Sequence, residues 1–219
     1  MPDYGFFYER AEVYKLQNDL QHMIEEYLDA LDFRDSELQN VQTQLQNSLG
    51  YDDVNGGINN PLLRQELQRR IQKNPNKEVF AEFLIFILQQ QRDFEGAFIQ
   101  TKALDKRKNE SGQRVMSLAS IIKANSQWEL ATRCYQYVLD KGSASPYSMM
   151  AGLEILDVEY KALTSQANPD KTALLELEKK LEKGRTTYQR NAESVSIVKN
   201  TASLKAYYLD KVEEAVTLL

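Results

Sequence analysis

Two stretches of the chain, FLIFILQQQRDFEGAFIQ at residues 83–100 and SLASIIKANSQWELATRCYQYVL at residues 117–139, match one another with a period of 34 residues. In that register Ala97 falls on Ala131, and a large aromatic residue lies three positions before each alanine. Both stretches are apolar at helical spacing on either side of a short polar break. A period of this length indicates a stack of small supersecondary units. We therefore predict two helices in each period.

The small and aromatic residues of the two copies resemble the tetratricopeptide repeat family, whose unit is 34 residues long and folds as two helices. Phe94 and Trp128 precede Ala97 and Ala131, where the second helix of that family carries its small residue. The resemblance implies an all-α fold: a right-handed α-α superhelix, or solenoid, of about five to six antiparallel helix pairs. It is strongest over 79–142.

The rest of the sequence divides into further units of similar size. The second unit is lengthened by a loop rich in Gly, Asn and Asp at 50–60, and the fifth is stretched. A solenoid normally closes with a polar capping element, and none is visible before Leu219, so we expect a fragment of a longer multi-repeat protein. We predict a single solenoid over 1–219 with repeats at approximately 4–37, 38–77, 78–111, 112–145, 146–195 and 196–219, the last truncated.

Composition argues against several classes of protein. The net charge is −5, and the short groups of Lys and Arg, such as that at 102–108, lie at predicted helix ends, where cations complement the helix dipole. We therefore predict no nucleic-acid partner. The single cysteine cannot form an internal disulfide. No run of 18 apolar residues occurs, so we predict no direct membrane insertion.

The chemically reactive side chains do not form a recognisable catalytic or metal-binding motif. His22 is the only histidine, and Cys134 is the only cysteine, so the usual zinc sites and catalytic triads cannot be assembled. Cys134 fits helix packing, and Asp52-Asp53 lacks the alternating ligands of a calcium loop. We therefore predict that the chain is not an enzyme and has no catalytic residue, metal or cofactor.

Stacking of helix pairs assigns a packing role to the residues that carry the repeat. One helix pair cannot bury its apolar face alone, and the second helix must approach both its own partner and the next pair. A bulky side chain in place of Ala131 is expected to overpack this seam at a cost of about 1–3 kcal/mol. The predicted repeat-packing residues are Phe94, Ala97, Trp128, Ala131 and Ala215.

The resemblance also implies a binding groove, lined by the second, fifth, ninth and twelfth places of each first helix. Several of these places hold aromatic residues or Met, which are enriched at the centres of protein interfaces. A stripe at helical spacing can equally be core. The carboxylate clamp of some family members is absent, because Glu82 and Phe86 replace its polar residues. The candidate groove residues are Tyr8, Val79, Glu82, Phe86, Met116, Tyr147, Met150 and Tyr207.

These observations favour a non-catalytic protein–protein interaction scaffold that binds a protein or peptide through its concave first-helix face. Two alternatives stay open. The chain is a structural segment that self-associates through its C-terminal end, or it is a regulatory segment of an enzyme whose catalytic domain lies outside it. The irregular repeats also resemble those of large bacterial repeat proteins, which favours the periplasm or cell envelope over the cytoplasm.

Overall fold

A computed structural model describes residues 5–50, 58, 60–188 and 194–219, and these ranges contain helices and turns but no β-strand. The predicted all-α class is confirmed, whereas the superhelical arrangement stays a prediction. No helix within the described ranges combines the length and the apolar composition needed to cross a bilayer. The α-helices of these ranges are α1 Phe7–Leu16, α2 Leu20–Phe33, α3 Leu38–Leu49, α4 Pro61–Lys73, α5 Glu78–Gln90, α6 Phe94–Lys108, α7 Gln113–Ala124, α8 Trp128–Leu139, α9 Ser148–Thr164, α10 Lys171–Thr187, α11 Val195–Tyr208 and α12 Val212–Leu218.

The chain divides into two compact units, Met1–Leu104 and Asp105–Leu219, called unit 1 and unit 2 below. In unit 1, α1 packs on α2, α2 packs on α3 and α4, and α4 packs on α5. In unit 2, α7 packs on α8, α8 on α9, α10 on both α9 and α11, and α11 on α12. From α7 to α12, helices adjacent in sequence are therefore neighbours in space. The single solenoid predicted over 1–219 stays a prediction.

The turns inside the helix pairs share one backbone conformation. Asn18, Arg92 and Ser126 have positive φ angles of 57°, 56° and 58°. The residue after each donates its backbone N–H to a carbonyl five positions earlier, as Asp93 does to Leu88 at 2.9 Å. This is the Schellman arrangement, which satisfies the last carbonyls of a helix and reverses the chain. The breaks predicted at Arg92 and Ser126 are confirmed.

The helix α4 begins at Pro61. Asn60 caps it, because its side-chain oxygen accepts hydrogen bonds from the backbone N–H groups of Leu62 and Leu63. Proline at the first helical position removes an N–H that has no partner inside the helix. Most of the loop predicted at 50–60 lies outside the described residues, and so does the Asp52-Asp53 pair.

The predicted repeat-packing residues are buried or half-buried between helices. Ala97 and Ala131 are fully buried, and Phe94 and Ala215 are nearly so. Trp128 is half-buried. Their burial agrees with the packing role expected from the repeat, in which a short side chain lets two helices approach closely.

A close approach of three helices explains the glycine at position 184, inside α10. Gly184 lies inside α10 and does not end it. A Cβ atom at this position would lie 2.5 Å from Ile197 Cδ1 on α11 and 2.6 Å from Leu156 Cδ1 on α9. Glycine therefore lets α9, α10 and α11 pack around a leucine-rich cluster that includes Leu177 and Leu181.

Candidate functional site on helices α7, α9 and α11

Three of the predicted groove residues of unit 2 lie on or beside α7 and α9. Met116 is on α7, Met150 is on α9, and Tyr147 immediately precedes α9; all three are half-buried. Tyr207, on α11, is 82% exposed. Residues three, four and seven apart share one face of a helix. Met116 therefore shares a face with Lys123.

That face continues from α7 to α9 and α11 through polar contacts. Lys123 Nζ lies 3.0 Å from Asp157 Oδ2 and also forms an ion pair with Glu154. Asn200 on α11 donates from Nδ2 to Asp157 Oδ1 at 3.0 Å. We call Lys123, Glu154, Asp157 and Asn200 the polar ladder. On α9 the ladder follows Met150 at helical spacing.

Asp157 and Lys123 are partly withdrawn from water, and both stay charged. Burial opposes the ionisation of Asp157, but hydrogen bonds from three donors outweigh it and hold the pKa of that carboxyl below its usual value. Burial likewise disfavours the Lys123 ammonium, but the hydrogen bonds to Glu154 and Asp157 outweigh it and raise the pKa of Lys123. The third donor to Asp157 is Lys161, whose Nζ lies 2.8 Å from Oδ2.

Tyr135 shows how closely the second helix of one pair contacts the first helix of the next. It lies on α8 and is almost completely buried. Burial raises the pKa of its hydroxyl, and the Glu154 carboxylate of α9 raises it further. The ladder residue Glu154 therefore lies beside the contact between α8 and α9.

The face carries charged groups of both signs beside half-buried Met and Tyr side chains. Both ladder carboxylates contact an ammonium group. Among the described residues, no group of three or more His, Cys, Asp or Glu side chains could hold a metal ion. Half-buried Met and Tyr side chains beside fixed charges of both signs form a surface of the kind that proteins use to bind one another.

The candidate residues of unit 1 are placed differently. Tyr8 donates its hydroxyl to Glu37 Oε2 at 2.7 Å and packs edge-on against Tyr27, so it is tied into the packing of α1 and α2. Val79 is only 3% exposed, whereas Glu82 and Phe86, also on α5, are half-buried. A surface pocket brings Val79 and Glu82 together; its lining residues are Asp35, Lys73, Asn74, Pro75, Asn76, Lys77, Glu78, Val79 and Glu82.

His22 and Cys134, the two residues considered for catalysis or metal binding, both lie in contacts that stabilise helices. His22 is exposed, its Nδ1 lies 2.7 Å from Asp19 Oδ2, and its ring stacks on Tyr14. Asp19 also accepts from the backbone N–H of His22, so the pair caps the start of α2. Cys134 is completely buried in α8, as the packing interpretation requires.

Lys123, Asp157 and Asn200 are not among the predicted groove residues. A signal for two of them was present, because Lys123 and Asp157 are 34 residues apart and hold the twelfth place of the first helix in the fourth and fifth repeats. Asn200 follows the stretched fifth repeat, where the register is lost.

A comparison of the chain with models of known protein families found no match, and a comparison with curated protein sequences found none.

Proposed function

We propose that this chain is a non-catalytic helical-repeat scaffold of the tetratricopeptide type that binds a protein or peptide through the faces of its first helices. The observation that carries the proposal is the arrangement on α7 and α9. Met116 and Met150, two predicted groove residues, share their helix faces with the polar ladder.

The mixture of groups on this face suits a folded or extended protein segment. Half-buried Met and Tyr side chains give adaptable apolar contact. The ladder supplies charges of both signs whose positions are already fixed, so binding loses little further side-chain entropy. We expect the partner to present an apolar side chain to Met150 and polar groups to Glu154 and Lys161.

The repeat architecture is supported by three features of different origin. From α7 to α12, adjacent helices pack on one another in order. The same Schellman turn closes α1, α5 and α7. The contact between Lys123 and Asp157 joins residues one period apart. Equivalent places in successive repeats meet in this way when helix pairs stack, which is why we propose a superhelical stack in each unit.

Neighbouring methionines on α9 give a sharp test of the binding face. Met150 is a predicted groove residue, whereas Met149 is 40% exposed and points about 100° away around the same helix. The parent chain, Met150→Glu and Met149→Glu are used as baits for affinity capture from native extract, with mass spectrometry as the readout. We expect a protein that the parent and Met149→Glu retain and Met150→Glu loses.

Two results would count against the proposal. One is the same set of captured proteins on all three baits, and the other is loss of the partner from both variants. Circular dichroism of each bait establishes that the variants keep the parent's helix content. A Phe86→Glu bait tests the α5 face of unit 1 separately.

A further inference from the structure

The charged groups on the face formed by α7, α9 and α11 differ in their access to solvent. The side chain of Lys161 is 45% exposed, whereas that of Asp157, its ion-pair partner, is 12% exposed. The side chains of Lys123 and Glu154 are 17% and 27% exposed. The charge most accessible to a binding partner on this face is therefore the positive charge of Lys161.

The hydrogen bonds of Asp157 and Lys161 leave spare capacity on the lysine. The carboxylate of Asp157 accepts from three side chains, those of Lys123, Lys161 and Asn200. An ammonium group has three N–H donors. Within the described part of the chain, Lys161 Nζ contacts only Asp157, so its other donors remain available. A partner that supplies hydrogen-bond acceptors to Lys161 would satisfy them.

The acidic groups of this face belong to α9, and the helices beside it add only positive charge. Glu154 forms an ion pair with Lys123 and accepts a hydrogen bond from the Tyr135 hydroxyl of α8. The helices α7 and α11 contain no Asp or Glu, whereas α11 carries Lys199, which is exposed. Complementary charges meet across protein interfaces, so this face favours an anionic partner over a cationic one.

We propose that the partner is a protein segment that places an Asp or Glu side chain on Lys161 and an apolar side chain on Met150. This inference rests on the proposed function and specifies the chemistry of the partner. Lys161 follows Met150 by eleven residues on α9, which is a rise of about 16 Å on nearly the same side of the helix. An extended segment covers that distance in about five residues.

Selection of peptides on the full chain tests the inference. Random peptides fused through their C-termini to a phage coat protein are selected on the parent, Lys161→Gln and Lys180→Gln. Lys180 is the matched control, because it is 57% exposed and pairs with Glu159, which points away from Asp157 around α9. We expect the parent and Lys180→Gln to select peptides with an apolar and an acidic residue. Lys161→Gln should retain the apolar residue and lose the acidic one.

A binding measurement assigns the acidic residue to its contact. One selected peptide is synthesised with an amidated C-terminus, so that its only carboxylates are side chains, and again with the acidic residue replaced by its amide. Fluorescence anisotropy is expected to show that this replacement weakens binding to the parent and to Lys180→Gln by about twofold to fivefold. Binding to Lys161→Gln should be the same for both peptides.

The outcomes separate this inference from the proposed function. Peptides that the parent binds and Met150→Glu loses, but that carry no acidic residue or carry Lys and Arg instead, overturn the inference and leave the proposed function standing. An equal effect of the peptide's acidic residue on the parent and on Lys161→Gln also overturns it. If no selected peptide depends on Met150, the proposed function fails and this inference fails with it.

Discussion

Lys123 on α7 and Asp157 on α9 are 34 residues apart, and their side chains meet with 3.0 Å between Nζ and Oδ2. The separation equals the sequence period, so the ion pair joins the same place in two successive helix pairs. Asp157 also accepts from Asn200 on α11, which extends the contact to a third pair. The contact between Lys123 and Asp157 thus follows the same 34-residue period as the apolar residues.

Asp157→Asn is expected to lower the free energy of unfolding of unit 2 by about 1–3 kcal/mol. The change removes the charge that holds Lys123 and Lys161. An asparagine side chain must also turn its Nδ2 donor toward either the two lysines or the Asn200 amide. Urea unfolding followed by the fluorescence of Trp128, the single tryptophan, reports on unit 2.

Asp140→Asn is the matched control, because it makes the same chemical change at an exposed position after α8. Its unfolding midpoint is expected to stay within error of the parent's. Equal midpoints for the parent and Asp157→Asn would show that the ladder adds no stability.

A second ionic cluster makes the stability of unit 2 sensitive to acid. Burial opposes the ionisation of Glu178 on α10, but hydrogen bonds from Lys211 and Lys205 outweigh it and lower its pKa. A carboxyl whose pKa is lower in the folded state contributes stability above its unfolded pKa of about 4.3. That contribution is lost as pH falls through the folded-state pKa, because protonation removes the ion pairs.

Glu178→Gln is therefore expected to be less stable than the parent at about pH 6 and to lose less stability on acidification to about pH 3. The measurement is urea unfolding at both pH values. Glu176→Gln, an exposed position on the same helix, should keep the parent's pH dependence. If Glu178→Gln and the parent lose equal stability on acidification, the cluster is not responsible.

The fold could be predicted where the same residue types recur at a fixed spacing in the sequence. Ala97 and Ala131 mark the period because close helix packing demands the same small residue in each copy. The turns were predictable from polar residues such as Ser126, because helix termination is a local property. Pro61 is likewise a local signal, because proline is favoured at the first position of a helix, where α4 begins.

The polar contacts were harder to predict, because partners in an ion pair are unlike one another. Lys123 and Asp157 hold equivalent places but differ in charge, so a search for similar residues passes over them. Glu178 and Lys205 contact one another across the stretched fifth repeat, where no register pairs them. Such contacts follow from the packing of helices, which the sequence pattern alone did not specify.

Ala131→Leu tests the packing seam of unit 2. Ala131 is fully buried in α8, so three added carbon atoms must displace neighbouring side chains, at an expected cost of about 1–3 kcal/mol. Thermal unfolding followed by circular dichroism is the measurement. Ala103→Leu, at an exposed position on α6, should melt like the parent. A melting temperature of Ala131→Leu equal to the parent's would contradict a tightly packed seam.

Gly184→Ala is expected to destabilise unit 2, although replacing glycine by alanine inside an exposed helix normally stabilises by about 1 kcal/mol. The added methyl group would lie 2.5 Å from Ile197 Cδ1 and 2.6 Å from Leu156 Cδ1, so overpacking at an expected cost of about 1–3 kcal/mol opposes the gain in helix propensity.

A second substitution that removes the atom nearest to the added methyl group tests whether the clash with Ile197 causes the destabilisation. Ile197→Val deletes Cδ1, so we expect Gly184→Ala to cost less in the Ile197→Val background than in the parent. A double-mutant cycle from urea unfolding measures this coupling. Strictly additive effects would show that the clash with Ile197 does not determine the requirement for glycine, and stabilisation by Gly184→Ala alone would show that α9, α10 and α11 do not approach as closely as described.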